Sequence, residues 1–138
     1  MPQYWLVKQE PTTYPFSQLQ ADKKTYWDGV RNYQARNNLQ AMKKGDLLLY
    51  YHSVKEKAVV GVAKVVKESY QDPTTDDERW VVVDVAPVKA MAEPVTLEQV
   101  KADELLAEMA LVKQSRLSVV PVTAAQFKRV LKLGKTKM

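Results

Sequence analysis

Three consecutive apolar segments, joined by short polar connections, restrict the folds open to this chain. They cover residues 46–52, 58–70 and 79–88, and their valine, leucine and tyrosine content is typical of β-strands. The run from Leu47 to Tyr51 is too continuously apolar to be open to solvent on one face. Successive strands with short loops favour an antiparallel meander that curls into a barrel. A mainly β core is therefore predicted.

Two further strands and several helices complete the predicted order of elements. Residues 4–8 form a first strand, which Pro11 ends, and residues 117–121 form the last one. Gly61 interrupts the 58–70 segment and predicts a bulge or the close approach of another backbone. Helix starts are predicted where a side chain can cap the first turn, at Ser17 with Gln20, Thr96 with Gln99, and Thr123 with Gln126.

The predicted fold is one domain over residues 1–138, of the α+β class and mainly β. It has about five to six mostly antiparallel strands flanked by short helices. With 138 residues and 46% hydrophobic content, the chain can bury a core without a metal or a disulfide. The last residues, 134–138, are expected to fray.

Composition excludes several kinds of chemistry. The chain has no cysteine, so disulfides, thiol nucleophiles and cysteine metal sites are excluded, and the single histidine lacks partners for a metal site. Its four glycines form no phosphate loop or dinucleotide fingerprint. No signal-peptide pattern and no apolar segment of the ~20 residues needed for a membrane span is visible. We expect a cytoplasmic monomer with no cofactor, no metal and no membrane partner.

The net charge of +5 is unevenly distributed. The 72–78 stretch holds four acidic residues and no basic one, so the rest of the chain carries +9. A basic surface of this kind favours a polyanionic partner such as nucleic acid.

Aromatic, amide and guanidinium groups occur together in the run Trp27-Asp28-Gly29-Val30-Arg31-Asn32-Tyr33-Gln34-Ala35-Arg36-Asn37. Gly29 allows a sharp turn just behind Trp27. The following helix, predicted to end at Lys43-Lys44-Gly45, presents Ala35, Leu39 and Met42 as an apolar stripe.

Asn32 lies one turn before Ala35 on the same stripe, so its amide is predicted to point inward. A buried amide needs partners, and Asn32 is therefore either a structural clasp or a ligand contact. The run suggests a site that stacks a flat polar ligand beside an anion. The alternative is that Trp27 fills the core while Arg31 and Arg36 are solvated charges.

Catalytic patterns are weak. His52 stands alone, and the adjacent Ser53 would not face it within a strand. Neither Ser53 nor Ser118 lies in a nucleophile elbow. The acidic 72–78 stretch lacks the spacing of a calcium loop and is interpreted as a solvated turn. An enzyme is therefore unsupported by the sequence.

The chain resembles the EVE-domain family from residue 3 to about residue 133. The resemblance is carried by Tyr4 to Pro11, the Trp27–Asn37 run, Gly45 to Ser53, Val60 to Ala63 and Arg116 to Val119. It implies a PUA-like pseudobarrel similar to YTH domains, which bind methylated adenine in RNA. EVE domains are implicated in recognising modified bases, chiefly modified cytosines in DNA, with an RNA role also proposed. The family usually has Ser where this chain has Gln9, so a hydroxyl contact is not carried over.

The resemblance and the residues lead to the same candidate site. Proteins that inspect one base usually flip it out of the stack and hold it between flat surfaces. Trp27 is the candidate stacking surface, Asn32 and Gln9 are the candidate edge readers, and His52 with Ser53 would close the pocket. His52 is equally well interpreted as a structural histidine, and Tyr33 as the opposite wall or a flank of the helix. The candidates for phosphate contact are Lys8, Arg31, Arg36, Lys113 and Arg116, with Arg36 alternatively paired to Glu10 or Asp28.

Three hypotheses for function follow. The first is a non-catalytic reader that holds a flipped modified base of DNA or RNA in an aromatic pocket. The second is an enzyme in which His52 and an acid act on the flipped nucleotide. The third is a sensor of free nucleosides, for which binding would not depend on salt.

Overall fold

Six strands form one curled sheet in the computed structural model, which describes residues 3–54 and 56–137. They are β1 (Tyr4–Gln9), β2 (Thr25–Tyr26), β3 (Leu47–His52), β4 (Ala58–Gln71), β5 (Val81–Thr96) and β6 (Val119–Val122). Their order in the sheet is β2–β5–β4–β3–β1–β6. Only the β1–β3 pair is parallel among these strands. The predicted mainly β pseudobarrel of the α+β class is confirmed.

Short helices flank the sheet: α1 (Phe16–Asp22), α2 (Tyr33–Ala41), α3 (Leu97–Ala102), α4 (Ala110–Lys113) and α5 (Ala124–Leu133). The capping boxes predicted at Thr96 and Thr123 are both formed. The cap predicted at Ser17 is wrong, because α1 begins one residue after Pro15, whose side chain cannot accept a hydrogen bond. Within the described residues, no helix has the length and apolar character needed to cross a membrane.

β5 is much longer than the predicted strand at 79–88. Pro87 and Pro94 lie within this strand, although proline cannot donate to a ladder. On the β4 side, pairing continues to Thr96 through several register shifts. On the other side, β2 pairs only with Asp84 and Val85, so both prolines lie where β5 is an edge. β2 itself has two residues and carried no strand signal.

Gly61 lies at a register shift between β4 and β5, as the sequence indicated. A side chain here would also collide with α1, since an added Cβ would lie 2.5 Å from the Phe16 ring. Gly61 thus lets α1 pack directly on the sheet.

A buried carboxylate ties the starts of β1 and β3 to the end of α2. Asp46 is 3% exposed and accepts hydrogen bonds from Trp5 Nε1 and the backbone N–H groups of Gln3 and Lys43. The helix ends at Ala41, earlier than predicted, and Gly45, at φ +96°, turns the chain into β3.

The chain after α5 packs on β5 over residues 134–137, within the stretch that was expected to fray. Thr136 is 6% exposed, and its hydroxyl accepts a hydrogen bond from Ala92 N–H at 2.9 Å. Glu93 N–H donates to Gly134 O at 3.0 Å. Met138 lies outside the described residues.

Candidate functional site

Several of the segments singled out in the sequence lie close together at the ends of β1 and β3. Because the two strands are parallel, Gln9 and His52 end at the same edge of the sheet, where Ser53 N–H donates to Gln9 O. Lys8 binds the 113–118 loop through its backbone N–H to Ser118 O and its Nζ to Ser115 O. The same loop contacts the start of α2, because Gln34 Nε2 donates to Gln114 Oε1 at 2.9 Å.

One of the cavities at this edge brings Gln9 and Trp27 together. It has a volume of about 220 Å³, and we call it the aromatic cavity. Its walls are Gln9, Thr13, Tyr14, Thr25, Tyr26, Trp27 and Asp28. Gln9 is half-buried, and its Oε1 accepts from Glu10 N–H, so its Nε2 is the group that can donate to a ligand.

Trp27 belongs to the core as well as to the cavity wall. It is 4% exposed, and its backbone N–H donates to Val83 O. Its ring packs edge to face on that of Tyr50, with the ring centroids 5.3 Å apart. Only a narrow strip of the indole therefore faces the cavity.

Tyr14 contributes a ring to the cavity rather than a titrating group. Its hydroxyl donates to Asp22 Oδ2 at 2.7 Å. Burial and this neighbouring carboxylate raise the pKa of Tyr14 to about 12, so the phenol is neutral at physiological pH.

Asn32 does not point inward, and the prediction that it lies on the buried stripe is wrong. It is exposed and precedes the first residue of α2, where its Oδ1 accepts from Ala35 N–H at 2.9 Å. It therefore caps the helix, which is the clasp alternative. Asn32 also borders an open cleft of about 320 Å³, together with Gln34, Gln114, Ser115, Arg116 and Leu117.

Tyr33 lies on a different surface from Trp27. Its ring is 51% exposed and packs on Trp80 at 5.3 Å. Arg79 Nη1 donates to its hydroxyl, and the guanidinium of Arg36 lies 5.0 Å from its ring centroid. Tyr33 is not among the residues that line the aromatic cavity.

Both ring nitrogens of His52 are engaged within the protein. Phe16 N–H donates to Nε2 at 3.0 Å, so the ring proton is on Nδ1, which donates to Glu56 Oε1 at 2.9 Å. With 6% exposure, His52 fits the structural interpretation. Ser53 instead lines a third cavity, of about 250 Å³, with Lys8, Tyr51, Val54, Lys57, Leu97, Leu111 and Ser115.

The basic residues proposed for phosphate contact differ in their exposure and in the partners that they already have. Arg116 is exposed in the open cleft, whereas Lys113 pairs with Glu108 at 3.5 Å. Burial lowers the pKa of Lys8, whose ammonium donates to Ser115 O at 2.7 Å. Arg36 donates to Asn37 Oδ1 and Arg79 O, and the described residues show no pairing with Glu10 or Asp28.

Asp72 contradicts the interpretation of 72–78 as a wholly solvated turn. Its side chain is 0% exposed and pairs with Arg31 at 3.1 Å. Burial alone would raise the pKa of Asp72, but hydrogen bonds from Thr74, Arg31 and Gly29 outweigh it and lower that pKa. Asp72 thereby fixes the turn that follows Trp27.

Sequence reasoning missed several residues of the site. Asp28 lay inside the Trp27–Asn37 run but was considered only as a partner for Arg36. Thr13 and Tyr14 lie in the loop between β1 and α1, and Thr25 and Tyr26 form β2, a strand for which the sequence gave no signal. Trp80 was assigned only to a strand, although Arg31 and Arg79 lie 5.6 and 5.7 Å from its ring centroid.

Comparison with known proteins gives one consistent result. The sequence matches the family described as EVE domain over residues 3–133. Mouse thymocyte nuclear protein 1 is 37% identical, over 97% of this chain and 74% of the relative. A solved structure from Rhodopseudomonas palustris is 46% identical with a TM-score of 0.92, covering 96% and 93% of the two chains. Human THYN1 protein, solved in complex with 5-methylcytosine containing DNA, is 34% identical with a TM-score of 0.89, covering 99% of both chains.

Proposed function

The chain belongs to the EVE-domain family, and from that premise we propose that it is a non-catalytic reader of modified DNA. In this proposal a modified cytosine leaves the DNA stack and enters the aromatic cavity. The observation that carries the proposal is the meeting of Trp27 and Gln9 in that cavity.

The cavity has the size and lining expected for one base. At about 220 Å³ it is smaller than the ~300–1,000 Å³ typical of pockets for drug-sized ligands. Tyr14 and Tyr26, which are less buried than Trp27, offer aromatic ring surface, and stacking of a base on such a ring contributes roughly 1–3 kcal/mol. The Gln9 amide supplies a directional donor, and such edge contacts give discrimination between bases.

The human relative supports the choice of modified cytosine. Its complex contains 5-methylcytosine DNA, and its fold superimposes along almost the whole of this chain. A C5 methyl group is apolar, so the rings of Tyr14, Tyr26 and Trp27 offer it a compatible surface.

The open cleft lined by Asn32 and Arg116 is the proposed path of the DNA backbone. It carries the exposed guanidinium of Arg116 and the amides of Gln34 and Gln114, all groups that donate to phosphate oxygens. Lys8 reaches the same loop through Ser115. Arg31 is a weaker candidate because its charge is already balanced by Asp72.

Nothing in the site favours the enzyme hypothesis. Both nitrogens of His52 are occupied, so it offers no free base to a bound nucleotide. An RNA target, the monomeric state and the cytoplasmic location stay predictions from the sequence.

The test is a comparison of two short DNA duplexes that differ only in one cytosine, methylated or not. We expect the wild-type protein to bind the methylated duplex more tightly, and Gln9→Ala to lose affinity for it. Arg116→Ala is the matched control and should weaken both duplexes by a similar factor. Equal affinity of the wild-type protein for the two duplexes would overturn the proposal, and mass spectrometry of the recovered DNA checks that it is unchanged.

A further inference from the structure

Asp28 is held at the rim of the aromatic cavity by its two neighbours. The backbone N–H of Trp27 donates to Val83 O at 2.8 Å, and the backbone N–H of Gly29 donates to Asp72 Oδ2 at 3.3 Å. Gly29 turns the chain at φ +78°, a conformation that suits glycine. The exposed Asp28 carboxylate therefore extends from a backbone fixed on both sides.

Over residues 3–54 and 56–137, this carboxylate takes part in no ion pair or hydrogen bond. The two nearest arginines along the chain are engaged elsewhere. Arg31 pairs with Asp72 at 3.1 Å, and Arg36 donates to Asn37 Oδ1 at 2.8 Å. The negative charge on the cavity rim is thus not balanced by the arginines that follow it in sequence.

An unbalanced carboxylate is unfavourable beside the phosphates of DNA, because like charges repel. It becomes favourable where the ligand presents a hydrogen-bond donor. The exocyclic N4 amino group of cytosine is such a donor, whereas thymine carries the O4 acceptor at the same position. Asp28 as acceptor and Gln9 Nε2 as donor together match the donor and acceptor groups along the edge of cytosine.

We propose that Asp28 accepts a hydrogen bond from the N4 amino group of the flipped base and thereby selects cytosine over thymine. This inference rests on the function proposed above, and it goes further by assigning the group of the base that is read. 5-Methylcytosine and thymine both carry a methyl group at C5, so a comparison of the two isolates the contact at position 4.

The experiment measures the affinity of wild-type protein and of Asp28→Asn for three short duplexes. These carry 5-methylcytosine, cytosine or thymine at one position. We expect wild type to prefer 5-methylcytosine over thymine by roughly tenfold or more, and Asp28→Asn to lose most of that ratio, since an amide can also donate to O4. Asp76→Asn, which removes an exposed carboxylate of the 72–78 loop, is the charge control and should keep the ratio.

Two outcomes would overturn the assignment. One is an unchanged ratio of 5-methylcytosine to thymine affinity in Asp28→Asn with an unchanged melting temperature. The other is a wild-type protein that binds these two duplexes equally. Failure of the proposed function would give a different result. Wild type would then bind the 5-methylcytosine and cytosine duplexes with equal affinity, and the ratio of 5-methylcytosine to thymine affinity would still test the role of Asp28.

Discussion

Trp27 is a wall of the aromatic cavity and also a buried core side chain. Its edge-to-face contact with Tyr50 and its 4% exposure mean that truncation leaves a hole in the core. Loss of binding in a Trp27 variant therefore cannot be interpreted without a stability measurement. Gln9 and Asp28 are better probes, since neither fills the core.

We predict that Trp27→Ala lowers the free energy of unfolding by about 3–5 kcal/mol, as other large-to-small aromatic changes in cores do. Urea denaturation measures this directly. Tyr26→Ala is the comparison, because Tyr26 lines the same cavity but is 43% exposed, and its effect should be much smaller. A Trp27→Ala protein as stable as wild type would show that the ring is not a core residue.

His52 stabilises the start of α1, where its Nε2 accepts a hydrogen bond from Phe16 N–H, and we do not expect it to contact a ligand. We predict that His52→Ala destabilises the protein by about 1–3 kcal/mol, because Phe16 N–H would lose its acceptor in a buried position. Glu56→Gln is the control and should change stability little, since the Glu56 side chain is 50% exposed and the amide retains an acceptor. Weaker DNA binding with unchanged stability in His52→Ala would instead indicate a role in the site.

At the scale of elements, the turn between β2 and α2 depends on a residue from a distant loop. Asp72, which follows β4, binds Gly29 N–H and Arg31 Nη1 and so positions the segment that carries Trp27 and Asp28. The geometry of the candidate site is therefore coupled to the β4–β5 connection.

This coupling predicts a pH dependence of stability. The folded-state pKa of Asp72 is lowered, so its contribution is present above the unfolded pKa of about 3.9 and is lost as the pH falls through the lower folded value. We expect Asp72→Asn to be less stable than wild type at neutral pH and to lose less stability on acidification. Denaturant titrations at several pH values measure both, and parallel profiles for the two proteins would contradict the assignment.

The sequence was informative where local patterns decide the structure. The capping boxes at Thr96 and Thr123 and the apolar strands at 46–52 and 58–70 depend on neighbours in the chain, and they were predicted closely. The orientation of Asn32 was predicted wrongly, because an asparagine that caps a helix and one that points into the core can both lie one turn before a buried residue such as Ala35. The burial of Asp72 and the extension of β5 beyond residue 88 depend on contacts with distant segments, which no local pattern encodes.

For the whole molecule, we expect the positive charge outside the 72–78 stretch to contribute to affinity for DNA more than to selectivity. We predict that binding to DNA weakens steeply with added salt, because phosphate contacts release counterions. Arg116→Ala should reduce the slope of log affinity against log salt by about 1, since it removes one phosphate contact. Affinity measured across a series of salt concentrations checks this, and a salt-independent affinity would favour the nucleoside sensor.

Entry of one base into the aromatic cavity is tested most directly by nuclear magnetic resonance. Isotope-labelled protein is titrated with the methylated duplex and then with its unmethylated counterpart. The Trp5 indole, buried on Asp46, serves as an internal reference for the Trp27 indole. We predict that the methylated duplex shifts the side-chain amide of Gln9, the indole N–H of Trp27 and the backbone N–H of Asp28, and that the unmethylated duplex shifts them less. Shifts centred on Tyr33 and Trp80, with Gln9 and Trp27 unchanged, would contradict the account.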